Sequence, residues 1–443
     1  MAALLEERGA RPLAAVAGDA PEGLRVSAYR KETDGGERIV AHLVNYNCQV
    51  PLQGKFAGKG KYETGAKPEE LAPRPLHNLA LRLARAGLDI AFLTTCARSH
   101  FTWKNEIPPG VRRIEGLEVH FFPVDETRDE ARFLNLQHRI SRGEALSRDE
   151  EETWAAHSVN SAALCAHLRA EAPRFDRIVM GPYLFGLVYR AARVAPERTL
   201  LAPCLHDEPF AYLALTRELF AAVRGCLFNS EPEQELAERI GACARARGRV
   251  VGMGLEPFEA DPRAFAARRG LAQPYVMYAG RREAGKGTPL LTAYLDAFRL
   301  RTGRDVKLVL TGSGPIEAPP SLGPHLIDCG FVSEEEKRAA LAGAVAFVHP
   351  STLESLGIVL LEAFLARTPA LVHAGSAVLR WQCRRSGGGL WFRNYAEFEE
   401  ELLRLLDDPP LRQALGAAGR SYVLREYDWT VVLGRLKAAL AEL

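Results

Sequence analysis

Two glutamates with seven residues between them stand out in Glu354-Ser-Leu-Gly-Ile-Val-Leu-Leu-Glu362. The second sits in an otherwise apolar run, Gly357 to Leu365. An isolated buried charge is costly, so a carboxylate on a mostly buried helix needs either a partner or a ligand. The preceding run, Val345-Ala-Phe-Val-His-Pro350, reads as a short strand ending at a turn. A strand, a tight loop and a helix in that order present the free N–H groups of the helix start at a sheet edge, a setting for phosphate. Glu362, a turn or two along, could then hold the hydroxyls of an attached sugar. The competing reading is a structural Glu362 in a buried ion pair.

Three more loops follow strand-like runs. Gly280-Arg281-Arg-Glu-Ala-Gly-Lys286-Gly287 combines glycines, which let backbone approach a ligand, with the cations Arg281 and Lys286. Fixed cations and helix-end amides would stabilise the charge that develops on a departing diphosphate. The plain alternative is a surface turn with solvated basic residues. Thr311-Gly312-Ser-Gly314-Pro is a tight turn or a second close approach to the ligand. Cys329-Gly330-Phe331-Val332 offers backbone and an aromatic face to a nucleobase, or simply a core phenylalanine.

The rest of the chain must position these loops. From Leu71 onward, apolar runs of strand length alternate with helical spacing: strands at 88–95, 176–180, 199–204 and 225–230, then 275–279, 306–310, 345–348 and 369–373. Such alternation implies parallel sheets covered on both faces, with ligands beyond the carboxyl ends of the strands. Arg128 to Ala170 reads as charged helix. The stretch around Pro257 and Pro262 is a linker, so the expected architecture is α/β, with two Rossmann-like doubly wound domains facing a cleft. Residues 1–70 differ. Arg25–Arg30 and Arg38–Val44 are β-prone and flank Asp34-Gly35-Gly36, which predicts a hairpin. A loop with Lys55, Lys59, Lys61 and Lys67 follows, either a solvated loop or a patch for phosphate or a membrane surface. The expected division is therefore 1–70 as an N-terminal β-hairpin and loop extension, 71–258 as the acceptor-side domain, 259–420 as the nucleotide-sugar domain and 421–443 as a helix crossing back.

Composition excludes several classes. The 443 residues are 47 % apolar and 25 % charged with a net charge of +2, which gives no global attraction to nucleic acid. No apolar run approaches about 18 residues, so no membrane span is expected, and the acidic, broken start predicts no secretory signal. Eight single cysteines without a Cys-x-x-Cys pair read as reduced thiols in a cytoplasmic protein. The histidines show no metal-binding spacing.

Taken in order, these motifs make residues 71–443 resemble a retaining glycosyltransferase of the GT-B fold, family 4 (glycosyl transferases group 1). The matching residues are Gly280-Arg281…Lys286-Gly287, Leu310-Thr-Gly-Ser-Gly-Pro315, Gly330-Phe-Val-Ser333 and Pro350-Ser351…Glu354-x7-Glu362-Ala363. Leu93-Thr-Thr-Cys96, Leu205-His206-Asp207-Glu208, Leu227-Phe-Asn-Ser230 with Glu233, and Tyr427-Asp-Trp429 also fit. The resemblance implies catalytic roles for Arg281, Lys286, Glu354 and His206. It implies donor contacts from Gly280, Gly312, Gly314, Phe331, Val332, Ser355, Leu356, Gly357 and Glu362. Among these, Arg281 and Lys286 would hold the diphosphate, Glu362 the ribose, and Glu354 the sugar. His206 would face the transferred sugar, or else merely cap its turn. No metal and no cofactor is implied beyond a nucleotide-diphosphate sugar as co-substrate. The acceptor would be a glycan, a lipid-linked glycan or a small molecule, as in polysaccharide biosynthesis. A lipid-linked acceptor would place the protein at the inner face of the membrane. Two other readings share the fold: a non-catalytic nucleotide-sugar or glycan binder, and a phosphorylase or epimerase.

Overall fold

The computed structural model describes residues 82–98 and 102–443, together with the backbone of three strands nearer the start. The lysine loop at 54–67, the Asp34–Gly36 turn and the first part of the run from Leu76 lie outside the described residues.

Those three strands are β1 (Arg11–Pro12), β2 (Tyr29–Arg30) and β3 (Arg38–Leu43). β1 and β2 pair antiparallel. β3 belongs to the first large sheet, with β4 (Asp89–Thr95), β5 (Gly110–Ile114), β6 (Leu117–Phe122), β7 (Arg177–Gly181), β8 (Thr199–Leu201), β9 (Gly225–Phe228) and β10 (Gly248–Val250). Their order is β10-β9-β8-β7-β3-β4-β6-β5. All neighbours are parallel except β5 and β6, which form a hairpin through Glu115 and Gly116, both at positive φ.

The placement of β3 corrects the sequence expectation. Arg38–Leu43 is not an arm of a hairpin with 25–30; it lies between β4 and β7, parallel to both, so the first sheet begins before residue 70. Ile-Val-Ala within it is a continuous apolar run, the pattern of a strand covered on both faces, whereas a half-exposed hairpin arm would alternate. The charged helical stretch expected over 128–170 consists of three helices, Glu130–Ser141, Arg148–His157 and Ala162–Glu171, each started by an acidic or serine side chain accepting a backbone N–H.

The second sheet contains β11 (Tyr275–Ala279), β12 (Lys307–Thr311), β13 (Leu326–Asp328), β14 (Ala346–His349), β15 (Ala370–His373) and β16 (Gly389–Phe392). Its order is β13-β12-β11-β14-β15-β16, all parallel. Every residue of β11 is buried. The chain reverses direction across the sheet at β11 and β14, so a crevice opens beyond their carboxyl ends. The last helix, Trp429–Glu442, starts at Asp428, whose carboxylate accepts the Thr430 N–H. It places Leu436, Ala439 and Leu440 in one buried cluster with Ile90, Phe92 and Leu200 of the first domain. Arg82 stacks 4.6 Å over the Trp429 ring and pairs with Glu256, fastening the linker to the same face.

Candidate active site

The loop after β11 and the loop after β12 are stacked backbone on backbone. Gly280 N–H donates to the Thr311 carbonyl at 3.0 Å, and Arg282 N–H to Ser313 at 2.7 Å. Gly312 N–H in turn donates to Gly330, at 2.7 Å. At Gly312, with φ +112°, a Cβ would fall 2.1 Å from the Gly280 carbonyl oxygen. Gly314, with φ +111°, has the same constraint from the Arg282 carbonyl. These glycines let the two loops touch each other. Arg282 is structural as well. It is buried, and its guanidinium bonds the Gly314 carbonyl at 2.9 Å and Asp328 at 2.5 Å. Arg281, next to it, is 41 % exposed and lies 3.5 Å from Glu283. Tyr278 fixes its backbone by donating to the Arg281 carbonyl at 2.6 Å.

Lys286 ends the short turn Ala284–Lys286 and points to the fourth loop. Its Nζ is 2.7 Å from Glu354 Oε1 and donates to the Leu353 carbonyl at 3.2 Å. An ammonium has three donors, so one remains for a ligand. Burial by itself would raise the Glu354 carboxyl, but the nearby positive charge, that of Lys286 foremost, more than offsets it and holds it below the ordinary carboxylate value. His349 Nε2 lies 3.4 Å from the same carboxylate. Burial pulls His349 down to about 4, so this ring is neutral at physiological pH.

After Glu354 the backbone turns into the helix Ile358–Leu365 through Gly357, at φ +77°, with no side chain capping the helix start. A Cβ at Gly357 would lie 2.7 Å from Leu379. Leu356 is a core side chain, so only its backbone faces outward chemistry, and its carbonyl accepts from Gln382 at 3.2 Å. The Ser355 carbonyl accepts a hydrogen bond from Ser230 of the first domain at 2.8 Å, joining the two halves at the cleft floor.

Glu362 is paired. Lys337 Nζ lies 3.0 Å from its carboxylate. Lys337 projects from the helix Glu334–Gly343, which Ser333 caps immediately after Phe331 and Val332. Burial raises Glu362; Lys337 offsets this only in part, and the like charge of Glu334 adds to the rise. The ion-pair reading of Glu362 is therefore realised. Lys337 Nζ lies 3.0 Å from both carboxylate oxygens, with hydrogen-bond geometry to Oε1 alone among the described residues, so Oε2 is buried and held by charge. Phe331 is 36 % exposed, outside the core. The first loop reaches the fourth through Lys286 and Glu354.

Across the cleft, His206 Nδ1 sits 3.4 Å from Glu208. Glu208 also accepts from Tyr183 at 2.9 Å. The charge of His206 contributes to lowering Glu354, and that of Lys286 to lowering Glu208, so these groups of the two domains share one field. Glu233 follows the Leu227–Ser230 run. It is buried, with one oxygen accepting Leu205 N–H and the other Asn229 N–H, both at 2.6 Å. It thereby ties the His206 loop to the interdomain turn, and burial pushes it up to about 8. Lys337 carried no signal in the sequence beyond being basic. His349 was legible only as the end of a strand. Among the described residues no group of three or more His, Cys, Asp or Glu side chains is placed to hold a metal.

Two doubly wound domains with this cleft between them define the GT-B fold. The family model described as "Glycosyl transferases group 1" matches residues 265–422. The chain is 31 % identical over 386 residues to a glycogen synthase of Mycobacterium tuberculosis, covering 81 % of this chain and 88 % of that one. It is 25 % identical over 274 residues to a GDP-mannose-dependent alpha-(1-6)-phosphatidylinositol monomannoside mannosyltransferase of the same organism, covering 56 % and 71 %. Its fold matches a sucrose-phosphate synthase from Thermosynechococcus elongatus with a TM-score of 0.64 at 16 % identity, covering 91 % and 99 %. The chain belongs to the glycosyl transferases group 1 family and is a glycosyltransferase.

Proposed function

We propose that this enzyme moves a sugar from a nucleotide-diphosphate sugar to a carbohydrate-bearing acceptor, with retention and without a metal. The observation that carries the reading is the convergence of Lys286 and Glu354 from two loops at one sheet edge, 2.7 Å apart, opposite His206. The dependence of one relative on GDP-mannose supports a nucleotide-sugar donor. In the step itself, the bond from the sugar anomeric carbon to the diphosphate oxygen breaks, and that oxygen keeps the electron pair. The acceptor hydroxyl oxygen bonds to the same carbon, and its proton passes to the departing phosphate oxygen. Lys286, Arg281 and the N–H groups at 355–358 would stabilise the leaving charge, work that a metal would otherwise do. Glu354 would position the sugar, Glu362 the ribose and Phe331 the base. Retention rests on the resemblance to family 4.

We place the reaction in a reducing compartment, the cytoplasm, in keeping with seven free cysteines among the described residues. No described helix is long and apolar enough to cross a membrane. Contact with the inner membrane face would follow from a lipid-linked acceptor.

The test is a donor screen read by product mass spectrometry. Transfer from at least one nucleotide sugar is expected. Arg281→Ala should cost about 2–4 kcal/mol in kcat/KM. Absence of turnover with every donor, with Glu362→Ala binding nucleotide as tightly as the parent, would overturn the assignment. Phosphate-dependent release of sugar phosphate, or epimerised donor without acceptor, would instead indicate the phosphorylase or epimerase reaction.

A further inference from the structure

Glu362 is the only charged side chain in the eight-residue helix Ile358–Leu365. Its partner, Lys337, stands on the buried face of the helix Glu334–Gly343, which it shares with Ala340 and Leu341, three and four residues on. The Lys337 side chain is 14 % exposed, against 19 % for Glu362. A lysine placed on such a stripe loses hydration, which only a fixed counter-charge offsets. Two carboxylates supply it: Nζ lies 3.0 Å from Glu334 and 3.0 Å from Glu362. The same helix is capped by Ser333, directly after Phe331 and Val332. The pair therefore joins the segment read as holding the base to the carboxylate read as holding the ribose.

The two carboxylates differ in setting. The Glu334 side chain is 41 % exposed and keeps water. Glu362 Oε2 is closed off from solvent, and at Oε1 Lys337 fills one of two acceptor positions. A ribose hydroxyl would therefore bond Oε1, beside the ammonium. Such a bond is charge-assisted while the carboxylate is ionised and weaker once it is protonated. Burial pushes the Glu362 carboxyl up; Lys337 opposes that rise, Glu334 adds to it and Arg338 opposes it more weakly. Burial would lower the ammonium of Lys337, but Glu362 and Glu334 more than offset this, so the cation persists. Arg338 itself sits 4.6 Å over the Phe258 ring. The helix Pro409–Glu426 brings Arg420 against the end of the Glu362 helix, where the Phe258 and Leu365 carbonyls and Glu259 take up its guanidinium. Among the described residues Lys337 is thus the one cation paired with Glu362.

We propose that Lys337 is a positioning residue for the donor: it holds Glu362 charged and in place, and so sets how strongly the enzyme prefers a nucleotide that carries ribose hydroxyls. The inference rests on the reading of Glu362 as the ribose contact and adds the residue that makes that contact strong.

The test is calorimetry on the full chain with GDP, UDP and ADP, each beside its dideoxyribose form, across about pH 4.5 to 8.5. The quantity read is the ratio of the two affinities, in which titration of the phosphates cancels. In the parent the ribose form should bind more tightly, and the preference should fade with falling pH as Glu362 gains its proton. Lys337→Met should move that midpoint up by about one to three pH units, the effect of losing an opposite charge at this distance. At neutral pH the preference should drop about tenfold, the difference between hydrogen bonds to charged and to neutral acceptors. Lys337→Arg should restore the parent ratio. Glu334→Gln, at an exposed position, should move the midpoint the other way, to lower pH, and it reads the same charge if Lys337→Met does not fold. A purely structural Lys337 would weaken both forms equally, so a parent that prefers ribose with a ratio and midpoint unmoved in these variants overturns the inference alone. Equal affinity for the two forms in the parent overturns the ribose contact and the inference with it. Binding of no nucleoside diphosphate overturns the donor reading as a whole.

Discussion

Removing the ammonium of Lys286 should damage stability and catalysis by amounts that can be separated. Its Nζ lies 2.7 Å from Glu354 Oε1, with the two side chains 21 % and 14 % exposed. At an effective dielectric of about 20, two unit charges at that distance attract by roughly 6 kcal/mol, and desolvation of both ends offsets much of it. Lys286→Ala strands a buried carboxylate beside a neutral His349, so the expected loss of unfolding free energy is about 3–5 kcal/mol. Most of that loss is the stranded charge, and adding Glu354→Gln should recover roughly 2 kcal/mol of it. Activity follows a different rule. The ammonium acts on the leaving diphosphate, so kcat/KM should fall about 10²–10³-fold in the single variant and stay low in the double. The pH dependence has a definite sign. The folded value of Glu354 is lowered, so its contribution is present above the unfolded carboxylate value and lost as pH falls through the folded one. Lys286→Ala should flatten that acid limb. Urea denaturation across pH and steady-state kinetics with the donor found by screening supply the data. A single variant as stable as the parent, or a double variant that regains kcat/KM, would refute the reasoning.

Two further outcomes follow from the packing and burial around the site. Gly312→Ala would place a methyl 2.1 Å from a backbone carbonyl at φ +112°, where no flexible side chain can give way. It should cost more than about 2 kcal/mol by urea denaturation, from strained backbone and displaced loops together, and a neutral result would mean the loops are not stacked. His349 has a folded value of about 4 against 6.5 unfolded, so it opposes folding increasingly as pH falls through that window. Between pH 7 and 5 it should remove about 2 kcal/mol of stability, a loss absent in His349→Asn; equal pH slopes for the two proteins would show that the ring is not held neutral.

Much of the fold could be read locally. β11 was delimited to the residue, and β12, β14 and β15 to within one at either end, because strands buried on both faces are continuous apolar runs bounded by glycine, proline or charge. The hairpin of β5 and β6 was missed because its turn, Glu115-Gly116, lacks the usual Asn or Asp. The β3 strand was assigned to the wrong neighbour, since the glycines before it look the same whether the chain turns back or enters a parallel sheet.

For the site, the residue types at 280–287, 311–315, 330–333 and 354–362 determined which loops matter, and parallel strands necessarily deliver the loops that follow them to one edge. What each side chain touches was decided by the tertiary structure. Lys286 meets Glu354 across 68 residues and Lys337 meets Glu362 across 25. Local spacing records whether a position is buried and which way it faces within its own element. It does not record which distant charge will be brought opposite, because that depends on strand order and helix packing, and those are settled by burial summed over the whole domain.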